Sequence, residues 1–136
     1  MTKNRYLKEL KLLSDFVLRK LEKLFYVLSN KIRIEIIYLL LENGKLTAGE
    51  ISDKLGIPQN TLSSHLKILY EGSYIDRDKK WRKKYFYIKE DKLKKILQTG
   101  TTILFDKWEN NWEKIADGKK KIEMIMNNNK GGNNDE

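Results

Sequence analysis

The chain has 136 residues, 28 of them Lys or Arg against 19 Asp or Glu, a formal charge of +9 and no cysteine. That length suits one domain with an appended element, and the missing thiols exclude disulfides, thiolate metal sites and cysteine nucleophiles within this chain. The basic excess points to a polyanion as partner, nucleic acid before an anionic membrane surface.

The N-terminal stretch "MTKNRYLKELKLLSDF" carries a charge every few residues and lacks the apolar core of a signal peptide. The apolar run "IIYLLL" is far shorter than the roughly 18 residues of a membrane span. The expectation is a protein of the cytoplasm or nucleoid with no membrane partner. Residues 1–28 are expected to supply a long amphipathic helix beginning near residue 5. Leu7, Leu10, Ser14, Val17, Leu21, Leu24 and Leu28 follow 3-4 spacing, a seam for a second helix in the same chain or another copy. Ser29 or Asn30 caps a second helix to about Glu42, with Ile34, Ile37 and Leu41 on one face. Asn43-Gly44 stops it.

Thr47 and Glu50 have the spacing of a capping box, with Leu46 and Ile51 placed for a hydrophobic staple. Gly56 ends this short helix. Pro58 suits the first turn of the next, which runs to about Glu71 and closes at Gly72. Two short helices joined by "GIP" make a helix-turn-helix. Leu62, Leu66 and Leu69 mark the inner face of its second helix; Gln59, Asn60, Thr61, Ser63, Ser64 and Lys67 lie mostly on the other.

Two β-prone runs, "SYIDR" and "KYFYI", flank "DKKWRK". The stretch from Arg77 to Lys84 holds Arg77, Lys79, Lys80, Arg82, Lys83 and Lys84 against the single acid Asp78. A hairpin with a basic tip beside a helix-turn-helix is a wing, so residues 29–89 form the expected winged unit. Residues 90–126 read as one helix, or two separated near Gly100, with Leu93, Leu97, Leu104, Trp108, Trp112 and Ile115 at helical spacings. Gly118 is a second possible break. Residues 127–136 have nothing to bury and are expected to be disordered. The fold expected is mainly α with a small β-hairpin: a winged helix-turn-helix between long N- and C-terminal helices used for dimerisation.

The stretch from Leu28 to Ile88, through "LSNKIRIEIIYLL", "LTAGEISDKLGIPQNTLSSHLKILYEGSYI" and "RKKYFYI", resembles the ArsR-type winged helix-turn-helix transcription regulators. Arg33 falls at that family's arginine early in its second helix, and "SSHLKIL" fits its S-x-H-L-x-x-L signature. The resemblance implies a homodimer on palindromic operators. Many such regulators sense metals, but this chain has one histidine and no cysteine pair, so no metal site or cofactor is carried over.

The chemistry of the reading helix agrees. Gln and Asn match adenine in a bidentate manner, and Ser and Thr pair with either kind of group in the major groove. Gln59, Asn60, Thr61, Ser63 and Ser64 are thus candidate base or phosphate contacts, with Lys67 beside them. His65, by resemblance, makes a phosphate contact or a helix-to-helix hydrogen bond. Lys79, Lys80, Arg82 and Lys83 are candidate phosphate contacts of the wing, or an arginine enters a minor groove. Trp81 packs on sugar or covers the hairpin. Leu10, Val17, Leu21, Leu24, Trp108 and Trp112 are candidate dimer contacts.

The leading expectation is a homodimeric, sequence-specific regulator of double-stranded DNA that represses by occlusion. An architectural DNA-binding protein with little sequence preference, and a winged helix that binds another protein, stay open. No phosphate loop, nucleophile–base pair or metal-ligand spacing points to an enzyme. The sequence leaves any small-molecule effector unknown.

Overall fold

The structure, a computed structural model, describes residues 5, 7–9, 14–107 and 112–128, without the side chains of 112–116. In chain order the elements are α1 (Ser14–Leu28), α2 (Lys31–Asn43), β1 (Leu46–Thr47), α3 (Ala48–Leu55), α4 (Gln59–Glu71), β2 (Ile75–Lys80), β3 (Lys83–Ile88), α5 (Leu93–Lys107) and α6 (Trp112–Asn128).

Local chemistry sets most boundaries. Of the two proposed caps, Asn30 is the one used: its Oδ1 accepts from the N–H groups of Ile32 (2.9 Å) and Arg33 (3.2 Å). Gly44, at φ 80°, ends α2. Thr47 caps α3 by accepting from the Glu50 N–H at 3.2 Å. The carboxylate of Glu50 accepts from the Thr47 hydroxyl at 3.1 Å rather than from the backbone, because Thr47 belongs to β1, opposite Tyr85. Gly56, in the left-handed region, ends α3. Pro58 is the N-cap of α4, one residue earlier than expected, and its carbonyl accepts from the Leu62 N–H at 3.0 Å.

The sheet has three strands in the order β1-β3-β2, all antiparallel, so the expected hairpin gains a third strand from Leu46 and Thr47. Its strands also reach further: Lys79, Lys80 and Lys83 are in the ladder, leaving only Trp81 and Arg82 as the turn.

The core lies where α2, α3, α4 and the sheet meet. Ile36, Ile37, Ile51, Leu62, Leu69, Ile75 and Leu93 are essentially inaccessible to solvent, each contributing roughly 1.5–3 kcal/mol of hydrophobic stabilisation. Along α2 the inner face is Arg33, Ile36, Ile37, Leu40 and Leu41; Ile34, expected inside, is half-buried. From α1 only Val27 and Leu28 enter the core. The element α1 starts at Ser14, whose φ is 49°; of the expected turns before it, residues 5 and 7–9 are helical and the others lie outside the described residues.

Gly72 closes α4 for a steric reason rather than a left-handed one. A Cβ there would lie 2.4 Å from the Tyr74 ring, while the positive φ belongs to Ser73. Neither Gly100 nor Gly118 breaks a helix; α5 and α6 run through them. Asn127 and Asn128, expected in a disordered tail, instead complete α6; the other residues of that stretch lie outside the described residues. Among the described residues no helix is long and apolar enough to cross a membrane.

Candidate nucleic-acid interface

The helix-turn-helix turns α4 so that Leu62, Leu66 and Leu69 face the core. Gln59, Asn60, Thr61, Ser63, Ser64 and Lys67 are then exposed, and His65 is half-buried at the margin. The hydroxyls of Ser63 and Ser64 donate to the carbonyls of Gln59 (2.7 Å) and Thr61 (3.0 Å), leaving lone pairs outward. The Asn60 Oδ1 accepts from the Thr61 N–H at 2.9 Å, which leaves its amide donors outward. The Gln59 amide nitrogen lies back over α3, 3.4 Å from where a Cβ on Gly49 would sit.

His65 joins α4 to α2. Arg33, only 5% exposed, donates from Nε to the Val27 carbonyl (2.6 Å), from Nη2 to the Tyr26 carbonyl (3.0 Å) and from Nη1 to the His65 Nδ1 (3.2 Å). A guanidinium has no acceptor, so Nδ1 must be the unprotonated nitrogen, and the Nε2–H is left as a donor. Burial first, and then the adjacent Arg33 charge, push the His65 pKa below its ordinary 6.5. The sequence reading gave His65 either a helix-to-helix or a phosphate role; the helix-to-helix bond is present, with a free donor besides.

This makes a pH prediction. The folded chain binds fewer protons at His65 than the unfolded chain, between the lowered pKa and 6.5, so stability there rises with pH. The contribution is full above pH 6.5 and is lost as pH falls toward the folded pKa. Thermal unfolding across that window should show a lower Tm at lower pH in the wild type. His65→Asn, which keeps an acceptor for Arg33, should flatten that dependence.

The wing concentrates charge. Lys79 stands directly opposite Lys84, and Lys80 opposite Lys83. Like charges in facing positions destabilise a ladder, and among the described residues no ion pair relieves them. Asp78 is engaged by Lys45, whose pKa that hydrogen bond raises, and Asp76 by Lys89 at 3.8 Å. Lys79, Lys80, Arg82, Lys83 and Lys84 have no ion-pair partner among the described residues.

Between α4 and the wing runs a groove of about 710 Å³, lined among others by Ser63, Lys67, Tyr70, Arg77, Arg82, Lys83, Lys84 and Phe86. Arg77 stacks over Tyr70, 4.4 Å from the ring centre, tying the wing root to α4. Arg77 and Lys84 were counted in the basic run but not named as contacts. The strand register, which alternates faces from Phe86 to Lys84, is the signal that would have found Lys84. Of the candidate dimer residues, Val17 and Leu21 are exposed and Leu24 is half-buried against the core. Leu10 and Trp108 lie outside the described residues, as does the Trp112 side chain.

A family model described as bacterial regulatory protein, arsR family, matches residues 30–76. The arsenical resistance operon repressor of Bacillus subtilis is 30% identical over 91 residues, covering 67% of this chain and 87% of that protein. The chain belongs to the ArsR family. It is accordingly a DNA-binding transcription regulator rather than an enzyme. A second relative, an HTH-type transcriptional regulator of Methanocaldococcus jannaschii, is 33% identical over 79 residues, 58% of this chain and 89% of the relative. Among solved structures, the homodimeric winged helix-turn-helix DNA-binding domain Mb0332 of Mycobacterium bovis, a possible ArsR-family regulator, aligns with a TM-score of 0.58. Identity there is 19%, with 65% of this chain and 81% of that one covered, a likeness of fold. The ArsR match at residues 30–76 takes in α2, α3, α4 and the start of β2, the elements that carry Arg33 and His65.

Proposed function

We propose that the chain is a homodimeric, sequence-specific repressor that acts by occluding its operator. In this reading α4 enters the major groove with Asn60, Thr61, Ser63 and Ser64 toward base edges, Gln59 and Lys67 at its margins and the His65 Nε2–H toward a phosphate. The wing holds the neighbouring backbone through Lys79, Lys80, Arg82 and Lys83, joined by Lys84. The observation that carries it is the pair of facing lysine pairs without counter-ions: a phosphate backbone supplies the missing charge. Dimerisation is supported by α1, where Phe16, Val17, Leu18, Leu21 and Phe25 are all 45% or more exposed. So long an apolar strip marks an interaction surface, and two-fold pairing would set two α4 helices on one face of a duplex. Selection from a random duplex pool, followed by footprinting, tests this: a discrete protected palindrome is expected, and uniform protection would overturn it.

One observation favours an architectural role instead. Ser63 and Ser64 direct their hydroxyl protons into their own helix, which lowers their capacity to discriminate bases. The selection experiment separates the two.

The relative named for arsenical resistance raises the matter of metals. This chain has no cysteine and one histidine, and no cluster of three potential ligands occurs among the described residues. Arsenite, which binds through thiols, and zinc or cadmium should therefore leave DNA affinity unaltered at micromolar levels. A titration in which any of them releases bound duplex would contradict that expectation.

A further inference from the structure

Trp81 is the first residue of the two-residue wing turn, next to the facing pair Lys80 and Lys83. Its φ is 56° and its side chain is 83% exposed. A bulky side chain in the left-handed region is strained by about 1–2 kcal/mol, and turns of this kind ordinarily use Gly, Asn or Asp. Burial does not offset the strain. Among the described residues its ring is faced by the Arg82 guanidinium, 4.8 Å from the ring centre. Strain that the fold does not use points to function.

We infer that Trp81 is a stacking wedge: the wing enters the minor groove beside the sequence under α4, and the indole packs against an opened base step. This rests on the DNA-binding reading and adds a second point of recognition to it. The chemistry selects the partner. The surrounding lysines answer to phosphate, but an indole face has nothing to offer a phosphate. In a duplex its complements are the sugar and the face of a base, and the latter is exposed where a step unstacks. Pyrimidine–purine steps open most readily, and apolar side chains act as such wedges in minor-groove binders. Arg82 over the same ring would carry a positive charge into the groove with it.

The test uses the full chain and a duplex it has itself selected from a random pool, with a stacking-quenched fluorescent adenine analogue at the flanking step. Wild type and Trp81→Phe should raise the emission on binding. Trp81→Asn, which accepts the left-handed backbone, should not, and should bind roughly 5- to 100-fold more weakly. The Tm of free Trp81→Asn should be unchanged or higher, since strain is relieved. The inference is overturned if Trp81→Asn binds as tightly as wild type. It is also overturned if that variant's Tm falls, which would make Trp81 a structural part of the hairpin. A third contrary result is a Trp81-dependent emission shift, taken as wild type minus Trp81→Phe, on phosphatidylserine vesicles and not on duplex. If the wild type retains no duplex at low salt, the proposed function falls as well; if it binds and only the Trp81 results fail, the wedge alone is wrong.

Discussion

Replacing Arg33 with alanine is expected to cost about 3 kcal/mol of folding stability, from three charge-assisted hydrogen bonds lost, partly offset because the guanidinium no longer has to be desolvated on folding. For a folded unit of this size that is a fall in Tm of roughly 15 °C. The effect is large because one side chain holds three helices. Its Nε and Nη2 satisfy carbonyls in the last turn of α1, where a cation also complements the helix dipole, and its Nη1 fixes His65 on α4. Arg33→Lys should recover only part of the loss, since an ammonium cannot reproduce the planar fork. Circular-dichroism melts of the two variants check this. A Tm within a few degrees of wild type for Arg33→Ala would mean that the carbonyls of Tyr26 and Val27 find water instead, and that the packing of Leu24, Val27 and Leu28 suffices to hold α1.

The second large effect is on assembly. Val17→Glu combined with Leu21→Glu should leave the monomer fold intact, because both side chains are about half exposed and outside the core. In a dimer paired through α1, each carboxylate would be buried without a partner at a cost of several kcal/mol. The dissociation constant should rise by roughly a thousandfold or more. Light scattering and sedimentation are expected to show a monomer with wild-type helicity. An unchanged dimer would shift the pairing surface to α5, where Ile103 and Leu104 are also exposed. Leu24 is a poorer probe than its place in the heptad implies, because it is half-buried against this chain's own core.

What could be read from the sequence was what local chemistry decides. Thr47 and Gly56 mark helix ends by properties of their own, and the short connection through Pro58 forces the two helices of the helix-turn-helix together. Features set by a distant partner were not legible. Leu46 and Thr47 form a strand only because β3 is beside them, and two residues have no period. Arg33 could be placed early in the second helix, but its burial depends on the end of α1 and on His65, thirty-two positions away. The error at Ile34 has the same origin, since admitting Arg33 rotates the inner face of α2 toward Ile36 and Leu40. At the candidate site, spacing was enough to place Asn60, Ser63, Ser64 and Lys67 on one exposed face. It could not show that the serine hydroxyls turn inward, nor that the lysines of the wing confront each other in a ladder.

The central claim is that α4 reads sequence while the wing holds backbone, and affinity against salt concentration on two duplexes tests it most directly. The two are the selected site and a random sequence, measured with Asn60→Ala and Lys80→Ala. Asn60→Ala should lose about 1–3 kcal/mol on the selected site and little on random DNA, with the salt dependence unchanged. Lys80→Ala should weaken both duplexes alike and reduce the slope of log affinity against log salt by about 0.9. If Asn60→Ala weakens both duplexes equally, the exposed face of α4 is not a reader, and the chain binds DNA by charge and shape alone.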